Sequence, residues 1–532
     1  MEILSTKILD CTLRDGGYIN NWKFGRKTIL SILDKLDRAG IEIIECGFLT
    51  QMVNDPESSL FSSAEEIKNL LPKRKRNSMY VAMIAIGEKE LLPETLSACS
   101  KDGISGIRLT FHKNEIEKAI QWASIIMEKG YEVFMQPVGT VFYTDMELLA
   151  LVEKMNELRP YAFYIVDTLG SMYRNEVSHR FYLIDENMHP DIHLGFHGHN
   201  NLQLAFSNAQ VLGKIQSKRT LILDSSVYGM GRGAGNLPTE LIAQYINRKV
   251  ASRYDVSMIM DIYDEYIAAI RKEYEWGYTL PYHIAASNVC HPNYASYLIN
   301  KQTLTMKGIE KIIQAIPKEA KVLYDQALIE RLYLDFQNQK IDDSTTVKKI
   351  SSTIKGKKVL LLAPGNSLAL EQKKIKTFIE TEHPYIISIH FIETILFPDA
   401  CFVSNQKRMD LLERELCTHR EVQVILTSNI RSEKFADAWI VDYDSYTNED
   451  PWVSDNAGLM LLNLLKQCGT DEVYLAGFDG FYEKYQGNYY SNELNLEVNR
   501  EKVHEKQKRI RGQMQKIKQE MRLIFLTASV YE

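Results

Sequence analysis

The sequence predicts a (β/α)8 barrel with a helical extension, followed by a separate Rossmann-like α/β domain. Three observations predict it. Short apolar runs alternate with amphipathic helical stretches over roughly the first 250 residues, the size and rhythm of such a barrel. Polar residues gather just beyond the C-terminal ends of the expected strands, where barrels of this kind place their chemistry. Farther along, an apolar run, a Pro-Gly turn and a helix start form a new unit from Lys358.

In chain order, the strand signals are 7–11, 41–46, 80–86, 106–110, 132–135, 163–166, 192–196 and 220–223. Between them, 28–38, 115–127, 145–156, 202–212 and 238–246 place apolar residues three and four apart, the period of a helix with one buried face. Closing these strands brings Arg14, Asp15, Glu45, Arg108, His112, Gln136, Asp167, Thr168, His197 and His199 to one mouth. A doubly wound open sheet would instead spread them along a crevice. Residues 1–253 are thus expected to form the barrel. Residues 254–336, rich in Tyr, Ile, Lys and Glu at helical spacing, form a helical appendage capping the mouth, and the polar stretch 337–357 forms a linker. In 358–532 the run 359–363 starts a second sheet continued by 386–389, 400–403, 422–426, 438–440 and 473–476, and the charged stretch 493–522 reads as a solvated or coiled helix.

The most informative motif is Gly195-Phe196-His197-Gly198-His199-Asn200. Residues two apart in a strand share a face, so His197 and His199 can converge on one cation. Directly after the first strand, Arg14 and Asp15 offer a fixed positive charge and a hard oxygen ligand. Two histidines and one carboxylate leave coordination positions open for a substrate. The glycine-rich run 229–236, between the last strand and a helix, has amides that could hold a carboxylate or phosphate, or is a plain tight turn.

The motifs Asp10-Cys11-Thr12-Leu13-Arg14-Asp15-Gly16, Asp167-Thr168-Leu169-Gly170, His197-Gly198-His199-Asn200-Asn201-Leu202 and Gly229-Met230-Gly231-Arg232-Gly233-Ala234-Gly235-Asn236 resemble the DRE-TIM metallolyase superfamily, and within it the 4-hydroxy-2-oxovalerate aldolases, over residues 8–246. The resemblance implies a divalent metal, Mn2+ or Mg2+, on Asp15, His197 and His199, with Arg14 steadying an enolate. The expected reactants are a small 2-oxo acid and an aldehyde. Glu45, Gln136, Thr168 and Asn236 are the expected substrate contacts, Asn236 alternatively a ligand or a residue behind one. Aldolases of this type carry a histidine base three residues beyond the metal-binding aspartate, whereas this chain has Tyr18, so Tyr18, His112, Tyr282 and His283 are rival proton acceptors. The reactive cysteine of the acyl-CoA lyases is missing from 229–236. A Claisen-type condensation with an acyl-CoA and a non-catalytic scaffold are the alternatives.

In the second domain, Pro364-Gly365-Asn366-Ser367 with Gly477-Phe478-Asp479-Gly480 resembles a nucleotide-sugar-linked group that includes bacterial sialyltransferases and motility-associated Maf proteins. This resemblance implies Gly365, Asn366 and Ser367 at a nucleotide phosphate and Asp479 at a ribose or acceptor hydroxyl, with a joint role in surface-polysaccharide synthesis; a nucleotide-free docking domain is the alternative. The 532 residues carry a formal net charge of −6, which gives no reason to expect nucleic acid as a partner. No basic-then-apolar leader or bilayer-length apolar run is present. The seven cysteines are scattered without pair spacing, as suits reduced cytoplasmic thiols, and Cys11 and Cys46 read as small core residues. A homo-oligomer is expected.

Overall fold

The computed structural model describes residues 6–51, 55–74, 77–480, 489 and 503–532. The chain forms two compact units, Met1–Ser296 with Ile316–Asp325, and Tyr297–Ala315 with Gln326–Glu532.

The first unit is a closed parallel barrel. Its strands are β1 (Thr6–Asp10), β2 (Ile43–Leu49), β4 (Met79–Ala85), β5 (Gly106–Phe111), β6 (Glu132–Pro137), β7 (Ala162–Asp167), β8 (His193–Gly198) and β9 (Leu221–Ser225), with a two-residue strand, β3 (Leu60–Phe61), beside β2. Pairing of β1 with both β2 (Leu9 opposite Ile43) and β9 (Thr6 opposite Leu221) closes the cylinder. Alternate residues serve two cores. Leu9, Ile43, Val81, Phe134, Tyr164 and Ile222 form one buried cluster, while Ile8, Ile44, Ala82, Ile107, Val133 and Ile165 belong to another that includes the helices. Burial on both faces makes the strand sequences read as unbroken apolar runs. The helices follow the same logic: Arg26–Arg38 buries Ile29, Ile32, Leu33 and Leu36. Asp145–Leu158 starts on a reciprocal cap, the Glu147 amide donating to Thr144 Oγ1 (3.3 Å) and the Thr144 amide to Glu147 Oε2 (2.9 Å).

Beyond the barrel, Leu280–Ser287 leads to His291 and the helix Pro292–Lys301. The His291 amide donates to the Lys321 carbonyl (2.9 Å), and the buried Tyr294 hydroxyl bonds the carbonyls of Ala320 and Leu323 (2.9 Å each). These bonds tie segment 316–325 to His291.

The second unit holds a seven-stranded parallel sheet in the order β14-β13-β12-β11-β10-β15-β16. Its strands are β10 (Val359–Leu362), β11 (Tyr385–Ile389), β12 (Ala400–Val403), β13 (Gln423–Thr427), β14 (Trp439–Val441), β15 (Glu472–Ala476) and β16 (Arg522–Phe525). Of the expected charged C-terminal helix, residues 493–502 lie outside the described residues. The described helix, Val503–Lys518, buries Val503, Ile510, Met514 and Ile517, so one of its faces is core rather than solvated. It ends before Arg522, which opens β16 beside β15. Among the described residues, no helix is long and apolar enough to cross a membrane.

The chain order reverses between β10 and β15, the switch point at which open α/β sheets form their crevice. Gly365, Asn366, Ser367 and Asp479 meet there, but they bond one another. The Ser367 amide donates to Asp479 Oδ2 (2.7 Å), and its hydroxyl bonds both Asp479 and Thr527. A Cβ on Gly365 would sit 2.2 Å from the Gly477 carbonyl oxygen, so the glycine is explained by backbone approach within the chain. The helix start at Ser367 already has its anion, an internal carboxylate, and a phosphate would have to displace it. Asp479→Ala should therefore cost the second unit about 1–3 kcal/mol in urea unfolding of the full chain, the usual result of orphaning buried donors. A change within about 0.5 kcal/mol, typical of a neutral surface substitution, would remove Asp479 from this role.

Candidate metal centre and its pocket

The Arg14–Asp15 pair is set by a tight turn after β1, in which the amides of both residues donate to the Cys11 carbonyl (3.1 and 2.8 Å). On β8, alternation turns His197 inward, and His199 follows two residues later; a Cβ on the intervening Gly198 would lie 2.6 Å from the Phe196 ring. The potential ligand atoms of Asp15, His197 and His199 all lie within 4.8 Å of one another, and all three residues are buried.

A continuous run of buried charges connects two of these residues. Arg14 Nη1 meets Asp15 Oδ1 (2.5 Å) and Arg14 Nε meets Glu45 Oε2 (2.8 Å). Glu45 Oε2 also takes Arg108 Nη1 (2.6 Å), Arg108 Nη2 bonds Asp224 Oδ2, and that oxygen reaches His197 Nδ1 (2.9 Å). Three carboxylates face two guanidiniums along this path, an excess of one negative charge that a cation would balance. Burial alone would raise the Asp15 carboxyl, but the Arg14 guanidinium, helped by the Asn236 amide, outweighs it and holds its pKa well below the usual range. Asp224 is likewise held down against burial by Arg108 and His197. An ionised Asp224 accepts the Nδ1 proton of His197 and so leaves the Nε2 lone pair for a cation. Burial pushes His199 down to about 3, keeping it neutral and able to ligate.

Asn236 fits the same purpose. It donates from Nδ2 to Asp15 Oδ2 (2.6 Å), while its Oδ1 is buried without a hydrogen-bond partner. Its loop is held close by glycine: Gly235 has φ +84°, and a Cβ there would lie 2.0 Å from the Gly229 oxygen. Asp224→Asn should keep the fold and the ligand triad yet weaken metal retention about 10–100-fold, the usual cost of losing a ligand's supporting carboxylate. Competition with a fluorescent chelator measures it, and unchanged affinity would remove Asp224 from the site.

Of the residues expected from sequence, Arg14, Asp15, Tyr18, His112, Gln136, Thr168, His197 and His199 line one pocket at the C-terminal ends of the strands. The pocket also takes Arg232, His291, Val322 and Leu323, which sequence reasoning did not single out for it. Glu45 and Asn236 are not among the residues that line the pocket: Glu45 bonds the two arginines and Asn236 bonds Asp15. Tyr282 is also outside the lining, its hydroxyl 3.1 Å from Ser296 Oγ, and His283 is outside as well. Tyr18 lies in the pocket, but burial pushes its phenol up to about 12, the wrong direction for a base. Thr168 Oγ1 accepts the Gly139 amide (2.9 Å). Cys11 is buried, and burial raises its thiol well above the ordinary value, as befits a core residue. Asp224 was missed because the apolar signal of its strand stops at Leu223; a carboxylate on the next residue, at a barrel strand's C-terminal end, was the available sign.

Residues 5–265 match the family described as HMGL-like. The 4-hydroxy-2-oxovalerate aldolase of Thermomicrobium roseum is 31% identical over 275 residues, covering 49% of this chain and 72% of that protein. The chain belongs to the HMGL-like, DRE-TIM metallolyase family. A second relative of the same name, from Geobacillus thermodenitrificans, is 29% identical over 273 residues, 49% of this chain and 76% of its own. The solved N-terminal domain of a candidate aldolase from Bacteroides vulgatus superposes on 58% of this chain and 100% of its own, with 26% identity and a TM-score of 0.50. As a DRE-TIM metallolyase, the chain carries an aldolase or lyase barrel, in a family whose aldolases use a divalent metal.

Proposed function

We propose that the barrel makes or breaks the carbon-carbon bond between a pyruvate-type enolate and an aldehyde, as in a 4-hydroxy-2-oxo acid. The observation that carries this reading is the convergence of Asp15, His197 and His199 beside Arg14. A divalent ion, Mn2+ or Mg2+, held by these three residues would supply Lewis-acid polarisation of the keto oxygen of a chelating 2-oxo acid. Arg14 has Nε on Glu45 and Nη1 on Asp15, which leaves Nη2, without a partner among the described residues, for the oxygen on which enolate charge develops. Its guanidinium stays charged because its two carboxylates outweigh burial.

Of the rival bases, His112 is the one in the pocket whose imidazole suits proton transfer. In cleavage it takes the proton of the 4-hydroxyl as the adjacent carbon-carbon bond breaks and its electron pair passes to the enolate; in synthesis it returns that proton to the new alkoxide. His112→Asn should lower aldol turnover about 10²–10⁴-fold, the range for a lost general base. Turnover within a few-fold of the wild type would exclude His112. The reading itself is tested with the Mn2+-loaded full chain and pyruvate in D2O, by exchange of the methyl protons and by product formation with added aldehyde. Failure of both would leave the scaffold reading; product only with an acyl-CoA would favour Claisen chemistry.

A further inference from the structure

We infer that the aldehyde partner carries an anionic group, a carboxylate or a phosphate, and that Arg232 binds it. The inference rests on the aldolase reading above and narrows its second substrate. Arg232 sits in the glycine-rich run 229–236 and lines the same pocket as Arg14 and His199. The other arginines near the ligand triad are neutralised, Arg14 by Asp15 and Glu45, and Arg108 by Glu45 and Asp224. Among the described residues, the half-buried Arg232 side chain has neither an ion pair nor a hydrogen bond. Its guanidinium carbon lies 4.8 Å from the centre of the Tyr18 ring.

This contact gives Tyr18 a purpose other than that of a base. Its ring packs edge-on against Trp22 (centroids 4.7 Å apart) and Phe48 (6.2 Å), which fix it in place. A fixed ring is a platform for a planar cation, and a guanidinium held over a ring can still present donors in the fork geometry that carboxylates and phosphates match. Where aldolases of this type carry a histidine, this chain carries a holder for Arg232.

The rest of the wall is also rich in donors. His291 is only 8% exposed and lines the pocket. Its Nδ1 accepts the Asn293 amide (3.2 Å), so the neutral ring carries its proton on Nε2 and offers a donor. Gln136 Nε2, on another side of the pocket, is a buried donor without a partner. Of the two carboxylates in the lining, Asp15 is engaged by Arg14 and Asn236, and Glu88 is exposed. A neutral, apolar aldehyde would desolvate these donors without pairing them, whereas an anion would satisfy them.

The test is calorimetric titration of the Mn2+-loaded full chain with succinic semialdehyde, glyceraldehyde 3-phosphate and butanal. At least one charged aldehyde should bind about tenfold or more tighter than butanal, a difference of about 1.4 kcal/mol. The tighter of the two identifies carboxylate or phosphate as the group recognised, and Arg232→Gln should abolish the preference. Equal binding of all three by the wild type, or a preference that survives in Arg232→Gln, would overturn the inference. Methyl-proton exchange of pyruvate without aldehyde reads the enolate chemistry separately. Exchange without discrimination refutes only the anion subsite, and discrimination with neither exchange nor aldol product refutes only the aldolase reading.

Discussion

Wild-type protein is expected to purify with about one divalent ion per barrel, and His197→Ala and His199→Ala proteins without it, with loss of aldol turnover. Each substitution removes one of the three side chains whose ligand atoms converge within 4.8 Å. The loss should exceed the roughly 10–100-fold that follows from removing a supporting carboxylate, because here the ligand itself is gone. The two variants should differ in one respect. His197→Ala also deprives Asp224 of its imidazole, although Arg108 still holds that carboxylate. His199→Ala removes a neutral ring and leaves the charge path whole. Atomic emission on dialysed protein gives the answer, and full metal occupancy in both variants would sink the proposed centre.

Arg14→Lys should fold, keep its ion and lose about 10²–10³-fold in turnover, the range for removing one oxyanion donor. Arg14 spans Asp15 and Glu45 with two different nitrogens while a third remains available, a geometry that only a planar fork provides. A lysine ammonium could satisfy one carboxylate or the developing oxyanion, but not all three groups. The informative readout is pyruvate methyl exchange at saturating substrate. If that rate falls while metal content holds, Arg14 acts on the enolate; if it stays within a few-fold of the wild type, Arg14 only organises Asp15.

The barrel was legible because its strands are buried on both faces, which leaves long apolar signals, and the expected strand 106–110 became Gly106–Phe111 with little change. The convergence of Asp15, His197 and His199 was legible because His197 and His199 obey the two-residue period of a strand. The placement of Glu45 and Asn236 outside the pocket lining was not, since a polar residue at a strand end looks alike whether it faces a cavity or another side chain. His291 was hidden for a different reason. Nothing local marks it, and its place in the pocket depends on contacts set far away in sequence, such as the Lys321 carbonyl that anchors its amide; Arg232 lay in plain view within the glycine-rich run, but the run marked backbone amides rather than that side chain. In the second unit, the Pro-Gly-Asn-Ser turn does lie at the switch point, but no sequence pattern announced that Asp479 would fill it.

The path of charges from Asp15 through Arg14, Glu45, Arg108 and Asp224 to His197 makes the centre a single electrical object with two ends on the same cation. When the ion leaves, the surplus negative charge stays behind in a sheltered interior, because Arg14 keeps Asp15 ionised and burial keeps His199 neutral. The emptied centre should therefore keep its charge rather than quench it with a proton, and so stay ready for the next cation. Chelation in weak buffer at neutral pH should move almost no protons beyond the chelator's own, and a clear alkaline shift would show that the site protonates as it empties.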